Sequence, residues 1–300
     1  MASEKINFGG LTGDYTSLEM AQIVIVPIPF DKTTTYLKEW TKGSERGPAA
    51  IIEASQFMEL YDLETKSHVY ESIIHTMDPF SAASSKELVE LTDAAVTDFM
   101  QKDKFVVILG GEHTVSIGAI AAHARKEPIT VVQLDAHTDL RDEFGGDKFS
   151  HACVMARAKE LGPILQIGIR SSDSTEASNI KLEDIFFAKD IYNKEDWIDK
   201  AIKKVGKKAY VTIDLDVFDT GIMPSVSTPE PGGLNYNLVI KFLKKLAESR
   251  EIVGFDVVEL SPTPSNKSPD FLAAKLTYTL LSYIFAVRKK KSPPQKGIIF

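Results

Sequence analysis

The sequence is poor in cysteine and has no excess of basic residues. Cys153 is the one cysteine among 300 residues, which excludes an internal disulfide and disfavours a cysteine-rich zinc site. Asp and Glu number 42 against 35 Lys and Arg, so the net charge of −7 argues against a nucleic acid as partner. No apolar run reaches membrane-spanning length, and the N-terminus lacks an export segment. We therefore predict a cytoplasmic protein with no membrane partner.

Hydrophobic residues make up 43% of the chain, enough for a sizeable core. Short runs rich in Val and Ile alternate with helical patterns, and runs without polar alternation are typical of strands covered on both faces. The predicted strands are 23–27, 105–109, 129–134, 164–169, 209–213 and 252–259. The predicted helices are 47–57, 86–101, 115–126, 151–161, 194–204, 238–247 and 270–287. This alternation predicts one domain over residues 1–300, a mostly parallel sheet between helices, with a flexible basic tail at 288–300.

Carboxylate and imidazole side chains directly follow several predicted strands. His113 follows the strand at 105–109, the cluster Asp135-Ala136-His137-Thr138-Asp139 follows the strand at 129–134, and Asp214-Leu215-Asp216 follows the strand at 209–213. Ligands bind beyond the carboxyl ends of parallel strands, and residues two apart in an extended chain face the same side. We therefore expect these side chains to converge at one edge of the sheet.

The predicted cluster contains four carboxylates and two imidazoles. Carboxylates crowded in this way repel one another and are costly to desolvate unless a cation lies among them. Two divalent ions that share bridging carboxylates would use all of these ligands, and a carboxylate-rich set with some imidazole suits Mn²⁺ better than Zn²⁺. A single such Asp or His is more commonly a cap, turn or structural residue, so the interpretation depends on the set. The sequence predicts a metalloenzyme with two metal ions.

Three segments resemble the signatures of the ureohydrolases, the family of arginase, agmatinase and formiminoglutamase. They are Gly110-Gly111-Glu112-His113-Thr114, Asp135-Ala136-His137-Thr138-Asp139 and Asp214-Leu215-Asp216-Val217. The resemblance extends through Pro29-Phe30-Asp31, Thr34-Thr35-Tyr36, Gly47-Pro48-Ala49-Ala50-Ile51 and Thr228-Pro229-Glu230-Pro231-Gly232-Gly233-Leu234. The last of these runs and Leu140-Arg141-Asp142-Glu143-Phe144 look most like agmatinases.

The resemblance implies an arginase-like three-layer α/β/α fold, two Mn²⁺ per chain and a homo-trimer or homo-hexamer. One ion would be bound by His113, Asp135, Asp139 and Asp214, and the other by His137, Asp135, Asp214 and Asp216. In this arrangement Asp135 and Asp214 would bridge the two ions.

The resemblance also implies hydrolysis of a guanidinium group to urea and an amine. Glu259 would bind the guanidinium through two parallel hydrogen bonds, and Asp139 would orient the attacking water. His151 would transfer protons, a role that suits an imidazole whose pKa is near neutral. We interpret Glu112 and Asp256 as residues that orient other groups, with Asp256 the more structural of the two.

The loop at 140–150 favours a small cationic guanidine substrate. It contains three acidic residues against Arg141 and Lys148, which suits a substrate with a distal amine and no carboxylate. The prediction is therefore agmatine, converted to putrescine and urea, and we consider Glu143 or Asp173 as contacts for the distal amine.

Several alternatives stay open at this point. Aminopropylagmatine presents the same guanidinium, and guanidinobutyrate or arginine would need a cation such as Arg141 for the carboxylate. A single-zinc deacylase on a related fold and a catalytically inactive binding protein are alternatives from other classes. The complete set of predicted ligands, including His113 and Asp216, argues against both.

Overall fold

The computed structural model describes residues 6–33 and 43–291. Three residues of the family motif, Thr34, Thr35 and Tyr36, lie outside the described residues, as does the predicted tail beyond residue 291.

A parallel sheet forms the centre of the molecule. Its eight strands lie in the order β2-β1-β3-β8-β7-β4-β5-β6, and every neighbouring pair is parallel. The strands are β1 Ile23–Ile28, β2 Ile74–Thr76, β3 Phe105–Gly110, β4 Thr130–Leu134, β5 Ile164–Ile169, β6 Ile185–Phe187, β7 Lys208–Asp214 and β8 Glu251–Val258. All of the predicted strands are confirmed. The two that the sequence analysis missed, β2 and β6, are the edge strands, and their three residues are too few to show a pattern.

Helices cover both faces of this sheet. They are α1 Gly47–Ser55, α2 Ser85–Gln101, α3 Val115–Lys126, α4 Val154–Leu161, α5 Ala188–Ile191, α6 Asp196–Lys204, α7 Tyr236–Ser249 and α8 Ser268–Lys291. The predicted helices are confirmed, apart from a 3-10 turn at His151–Cys153 where helix 151–161 was expected to begin. The four-residue helix α5 was missed.

The core lies in two layers, one on each side of the sheet. Alternate residues of β1 enter different layers, because Ile23 and Ile25 belong to one hydrophobic cluster and Val24 and Val26 to the other. Helices α1, α6, α7 and α8 contribute to the first cluster, and helices α2, α3 and α4 contribute to the second. The predicted three-layer α/β/α architecture is therefore confirmed. That residues 1–300 form a single domain stays a prediction.

Helix α8 is long and apolar enough, at 23 residues from Ser268 to Lys290, to cross a membrane. The prediction that no segment reaches that length was therefore wrong. Most of this segment, 72% of its apolar window, is buried inside the protein, and the Phe285 ring packs edge-on against Phe105 of β3 at 5.7 Å. We interpret α8 as a core helix. It also continues past residue 288, where the tail was predicted to begin, and the Arg288 guanidinium lies 4.7 Å from the Phe105 ring centroid.

The burial of α8 leads to a test with a matched pair of leucines. Leu281 of α8 is fully buried, whereas Leu91 of helix α2 is 42% exposed. We expect Leu281→Ala to lower the free energy of unfolding by about 2–5 kcal/mol, because it leaves a cavity in the core. Leu91→Ala should change it by less than about 0.5 kcal/mol. Urea denaturation measures both, and equal losses would contradict the packing of α8 described here.

Candidate metal centre and active site

The predicted polar clusters lie together because β3, β4, β7 and β8 end at the same edge of the sheet. The turn after β3 is closely packed on the segment after β1. A Cβ atom on Gly111 would lie 2.1 Å from the carbonyl oxygen of Phe30, so only glycine fits there. This close approach positions Glu112 and His113 directly over the sheet edge.

Short turns, rather than extended strands, bring the carboxylates of β4 and β7 together. The Asp135 carboxylate accepts a hydrogen bond from the backbone N–H of His137 at 2.6 Å. Asp214 accepts one from the backbone N–H of Asp216 at 2.9 Å and begins the 3-10 turn Leu215–Val217. The Asp216 carboxylate also accepts from the backbone N–H of Ala136 at 2.8 Å, which joins the two turns. The predicted convergence is present, but side-chain turns on the Asp residues produce it.

Three carboxylates surround one nitrogen of His113. Its Nδ1 lies 3.0 Å from Asp139, 3.2 Å from Asp135 and 3.5 Å from Asp214, measured to Oδ2 in each case. This nitrogen is buried and has no hydrogen-bond partner among the described residues. The other ring nitrogen, Nε2, lies 2.7 Å from the Thr212 hydroxyl, which orients the ring.

A second group lies beside the first and shares Asp135 with it. His137 Nδ1 is 2.7 Å from Asp216 Oδ2 and 3.7 Å from Asp135 Oδ1. In each of two groups the ligand atoms lie within 4.8 Å of one another, so that each group could hold a metal ion. The groups are His113 with Asp135 and Asp139, and Asp135 with His137 and Asp216. The structure thus brings all of the predicted metal ligands into one cluster.

The carboxyl groups of this cluster hold protons unusually tightly. Burial, together with the charges of Asp216 and Asp135, raises the pKa of Asp214 well above its usual range. Burial and the Asp135 charge raise the pKa of Asp139 to about 6. Asp135 is the exception: although burial acts to raise its pKa, the adjacent imidazoles of His113 and His137 lower it. The two upward shifts are the expected response of carboxylates that are buried close to one another.

The pKa values of the two imidazoles are also raised, because the neighbouring carboxylates favour the charged ring. Although burial disfavours a charged imidazole, the adjacent carboxylates of Asp135 and Asp139 raise the pKa of His113 well above its ordinary value. Burial also acts to lower the pKa of His137, but Asp216 and Asp135 together outweigh it and raise this pKa to about 12. A buried imidazole nitrogen without a hydrogen bond, aimed at carboxylates and oriented through its other nitrogen, is also the arrangement of a metal-ligating histidine. The donor set therefore fits divalent cations.

Asp256 supports this cluster from below. Its carboxylate accepts hydrogen bonds from the hydroxyls of Thr212 at 2.6 Å and Tyr210 at 2.8 Å. Since the Thr212 hydroxyl in turn contacts His113, Asp256 orients the His113 ring through Thr212. This agrees with the structural role expected for it.

A cavity of about 530 Å³ opens above the cluster. Glu259 forms part of its wall, directly after β8, with a left-handed backbone conformation at φ 68°. Its carboxylate accepts from the backbone N–H of His113 at 2.8 Å. Burial, followed by the charge of Glu112, raises the pKa of Glu259 well above its usual range. An anion held in this position would be stabilised by a cationic ligand.

His151 lines the same cavity. Its Nδ1 lies 2.7 Å from the hydroxyl oxygen of Thr33, and its ring packs against Phe144 with the centroids 6.2 Å apart. Burial, and then the charges of His113 and His137, lower the pKa of His151 to about 4. The expectation of a pKa near neutrality was therefore wrong, and His151 is uncharged at pH 7.

An ion pair and a buried acid form the outer wall of the cavity. Arg141 Nη2 lies 3.3 Å from Asp173 Oδ2, and the guanidinium covers the Phe144 ring at 4.8 Å. Glu176, which the sequence analysis missed, is buried and accepts from the backbone N–H groups of Leu140 and Asp173. Glu143, considered above as a contact for an amine, is exposed and is not among the described residues that line the cavity.

Arg170 is a second residue that sequence reasoning missed. Its guanidinium donates to the carbonyl oxygens of Asp216 at 2.6 Å, Glu230 at 2.9 Å and Pro231 at 3.1 Å. It thereby joins the turn after β7 to Glu230 and Pro231, of which Glu230 lines the cavity. A single Arg after a strand gives no sequence signal for this role.

Comparisons with known proteins agree with this geometry. The Arginase family model matches residues 21–282. The chain is 41% identical to the N(1)-aminopropylagmatine ureohydrolase of Synechocystis sp., over 92% of this chain and 93% of that protein. It is 32% identical to the agmatinase of Pyrococcus horikoshii, over 87% and 91%.

The fold comparison leads to the same family. The crystal structure of the agmatine ureohydrolase of Thermoplasma volcanium superposes with a TM-score of 0.85 at 29% identity, over 97% of this chain and 98% of that one. The resemblance seen in the sequence motifs is therefore confirmed. The chain belongs to the arginase family.

Proposed function

We propose that this chain binds two Mn²⁺ and hydrolyses a guanidinium group to urea and an amine. The observation that carries the proposal is the buried His113 Nδ1, which faces three carboxylates and has no hydrogen-bond partner in the part of the chain that the structure describes. His113, Asp135, Asp139 and Asp214 would hold one ion, and His137, Asp135, Asp214 and Asp216 the other. The preponderance of carboxylate oxygen over imidazole nitrogen supports manganese. Two such ions, when bound, lower the pKa of a shared water so that hydroxide is available near neutral pH.

Glu259 is suited to bind the substrate guanidinium. It is buried beside the cluster, and a carboxylate pairs with a guanidinium through two parallel hydrogen bonds. The ion pair would place the guanidinium carbon next to the cluster and orient it for attack. Asp139, whose carboxylate reaches both the cavity and His113, would accept a hydrogen bond from the attacking water.

His151 is suited to transfer the proton that the leaving amine requires. Because it is uncharged at pH 7, it can accept at its free ring nitrogen the proton that the attacking water releases, and then donate that proton to the leaving amine. Its position on the cavity wall and the contact of Nδ1 with Thr33 leave Nε2 as the nitrogen available to the substrate.

The cavity wall supports a cationic substrate without a carboxylate. Of the described residues that line the cavity, Arg141 is the only Lys or Arg, and Asp173 neutralises it. Asp31 and Glu230 add negative charge to the same wall. Arginine and guanidinobutyrate would each bring a carboxylate to this surface. We therefore propose agmatine as the substrate and putrescine and urea as the products.

N(1)-aminopropylagmatine is the second candidate. The relative named for that substrate is 41% identical to this chain, more than the 32% of the Pyrococcus horikoshii agmatinase. A cytoplasmic location and a trimeric or hexameric assembly stay predictions.

A steady-state comparison of four guanidines with Mn²⁺ present tests the proposed substrate. We expect the kcat/KM for agmatine or aminopropylagmatine to exceed that for arginine and guanidinobutyrate, because the latter two place a carboxylate against an acidic wall. Urea release measures all four reactions. A preference for arginine or guanidinobutyrate would contradict the charge argument, and no urea from any of them would refute the proposed reaction.

Metal content separates the proposed enzyme from its alternatives. We expect two equivalents of Mn²⁺ per chain by elemental analysis after loading and desalting, and a higher Tm than that of chelator-treated protein, because binding to the native state stabilises it. Asp214→Asn should retain less metal, whereas Asp147→Asn, in the loop before His151, should retain as much as the wild type. One equivalent would favour the single-zinc deacylase, and none would favour a binding protein.

Replacement of Glu259 tests the guanidinium contact. We expect Glu259→Gln to lower kcat/KM by roughly 10-fold or more, because a hydrogen bond to a charged group is lost. Its metal content should be unchanged, since Gln still accepts from the His113 N–H. The exposed Glu143→Gln is the matched control and should keep full activity. Full activity in Glu259→Gln would exclude this role.

A further inference from the structure

A chain of hydrogen bonds connects three separate segments beneath the cavity. Glu112, in the turn after β3, accepts at Oε2 from the backbone N–H groups of Lys32 and Thr33, at 2.9 and 2.7 Å. Its other oxygen, Oε1, accepts from the hydroxyls of Thr33 and Thr114, both at 2.8 Å. The buried carboxylate thus has four donors, and two of them belong to Thr33. Thr33 is consequently fixed in both its backbone and its side chain.

The Thr33 hydroxyl continues the chain to His151. Its oxygen lies 2.7 Å from His151 Nδ1 and 3.1 Å from the backbone nitrogen of the same residue, which donates to it. A hydroxyl has one hydrogen and two lone pairs. When the hydrogen is directed to Glu112, one lone pair accepts a hydrogen bond from His151 Nδ1 and the other accepts one from the backbone N–H of His151. Every hydrogen-bonding site of the hydroxyl is then occupied.

This arrangement determines which nitrogen of the imidazole faces the cavity and which one carries the hydrogen. If Thr33 accepts from Nδ1, that nitrogen carries the hydrogen and Nε2 carries the lone pair. The remaining contacts of the ring are weaker, since the Ser150 hydroxyl lies 3.4 Å from Nδ1 and Phe144 packs against the ring edge-on. Thr33 is therefore the group that fixes both the orientation and the tautomer of His151.

We propose that Thr33 is a positioning residue for His151: its hydroxyl, held by Glu112, keeps the imidazole with Nε2 toward the substrate. The role rests on the proposed function, because it concerns the proton transfer assigned there to His151. The leaving nitrogen of a bound guanidinium would meet an imidazole whose Nε2 is already directed at it. The ring therefore needs no reorientation during turnover.

A double-mutant cycle on the manganese-loaded enzyme tests the proposal. We expect Thr33→Val to lower kcat by about 10-fold or more, as for other groups that orient a functional histidine, with little change in KM or metal content. Thr33→Ser keeps the hydroxyl and should restore most of kcat. His151→Ala should lower kcat by roughly 100-fold. In that background Thr33→Val should have no further effect, because the ring on which it acts is gone.

Thr97→Val is the matched control. The Thr97 hydroxyl also donates to a carboxylate, that of Asp93 at 3.1 Å, but it lies in helix α2 away from the cavity. We expect this variant to keep the kcat of the wild type. A decrease like that of Thr33→Val would show that the loss of any such hydroxyl lowers activity, and would overturn the proposal.

The outcomes distinguish the positioning role from the function on which it rests. No ureohydrolase activity in the wild type would overturn both. Full activity in His151→Ala would overturn the role of His151 and that of Thr33 with it. A kcat that depends on His151 but is unchanged in Thr33→Val, or lowered equally in both backgrounds, would overturn the positioning role alone.

Discussion

The structure depends on the crowding of like charges at one edge of a parallel sheet. Asp135, Asp139, Asp214 and Asp216 are all buried there, with two imidazoles between them. Uncompensated carboxylates in such a place are costly to desolvate, and the raised pKa values of Asp139 and Asp214 express that cost. The surrounding fold keeps these groups together: backbone N–H groups stabilise three of the carboxylates, and a Thr212–Asp256 pair holds His113. Divalent cations are the natural partner for such a cluster, and membership of the arginase family agrees with that conclusion.

Much of this arrangement could be predicted from the sequence, because its determinants are local. Runs such as Phe105–Gly110 are apolar on both faces and read as central strands, and the polar motifs directly follow them. Parallel topology then places those motifs at one edge. How the side chains come together could not be predicted. At Asp135 and Asp214 the carboxylate accepts a hydrogen bond from the backbone N–H two residues on, and residue spacing alone does not reveal these turns.

The features that were missed depend on contacts between residues distant in the sequence. Thr33 and His151 are 118 positions apart, and Thr33 and Glu112 are 79 apart, so no local pattern connects them. The pKa of His151 was misjudged for the same reason, since burial and the charges of His113 and His137 come from other segments. Helix α8 shows the converse case. Its composition alone fits a membrane segment, and only its packing against β3 identifies it as a core helix.

The contacts of Arg170 have a consequence for motion in the site. One guanidinium connects the carbonyl oxygens of Asp216 and Glu230, and hence a residue of the anionic cluster with one from the cavity wall. Because the same guanidinium donates to both segments, neither can shift relative to the other without breaking a hydrogen bond of Arg170. The Glu230 side of the cavity is thereby coupled to the cluster at Asp216, so a ligand that displaced one segment would have to displace the other as well or break the hydrogen bonds of Arg170.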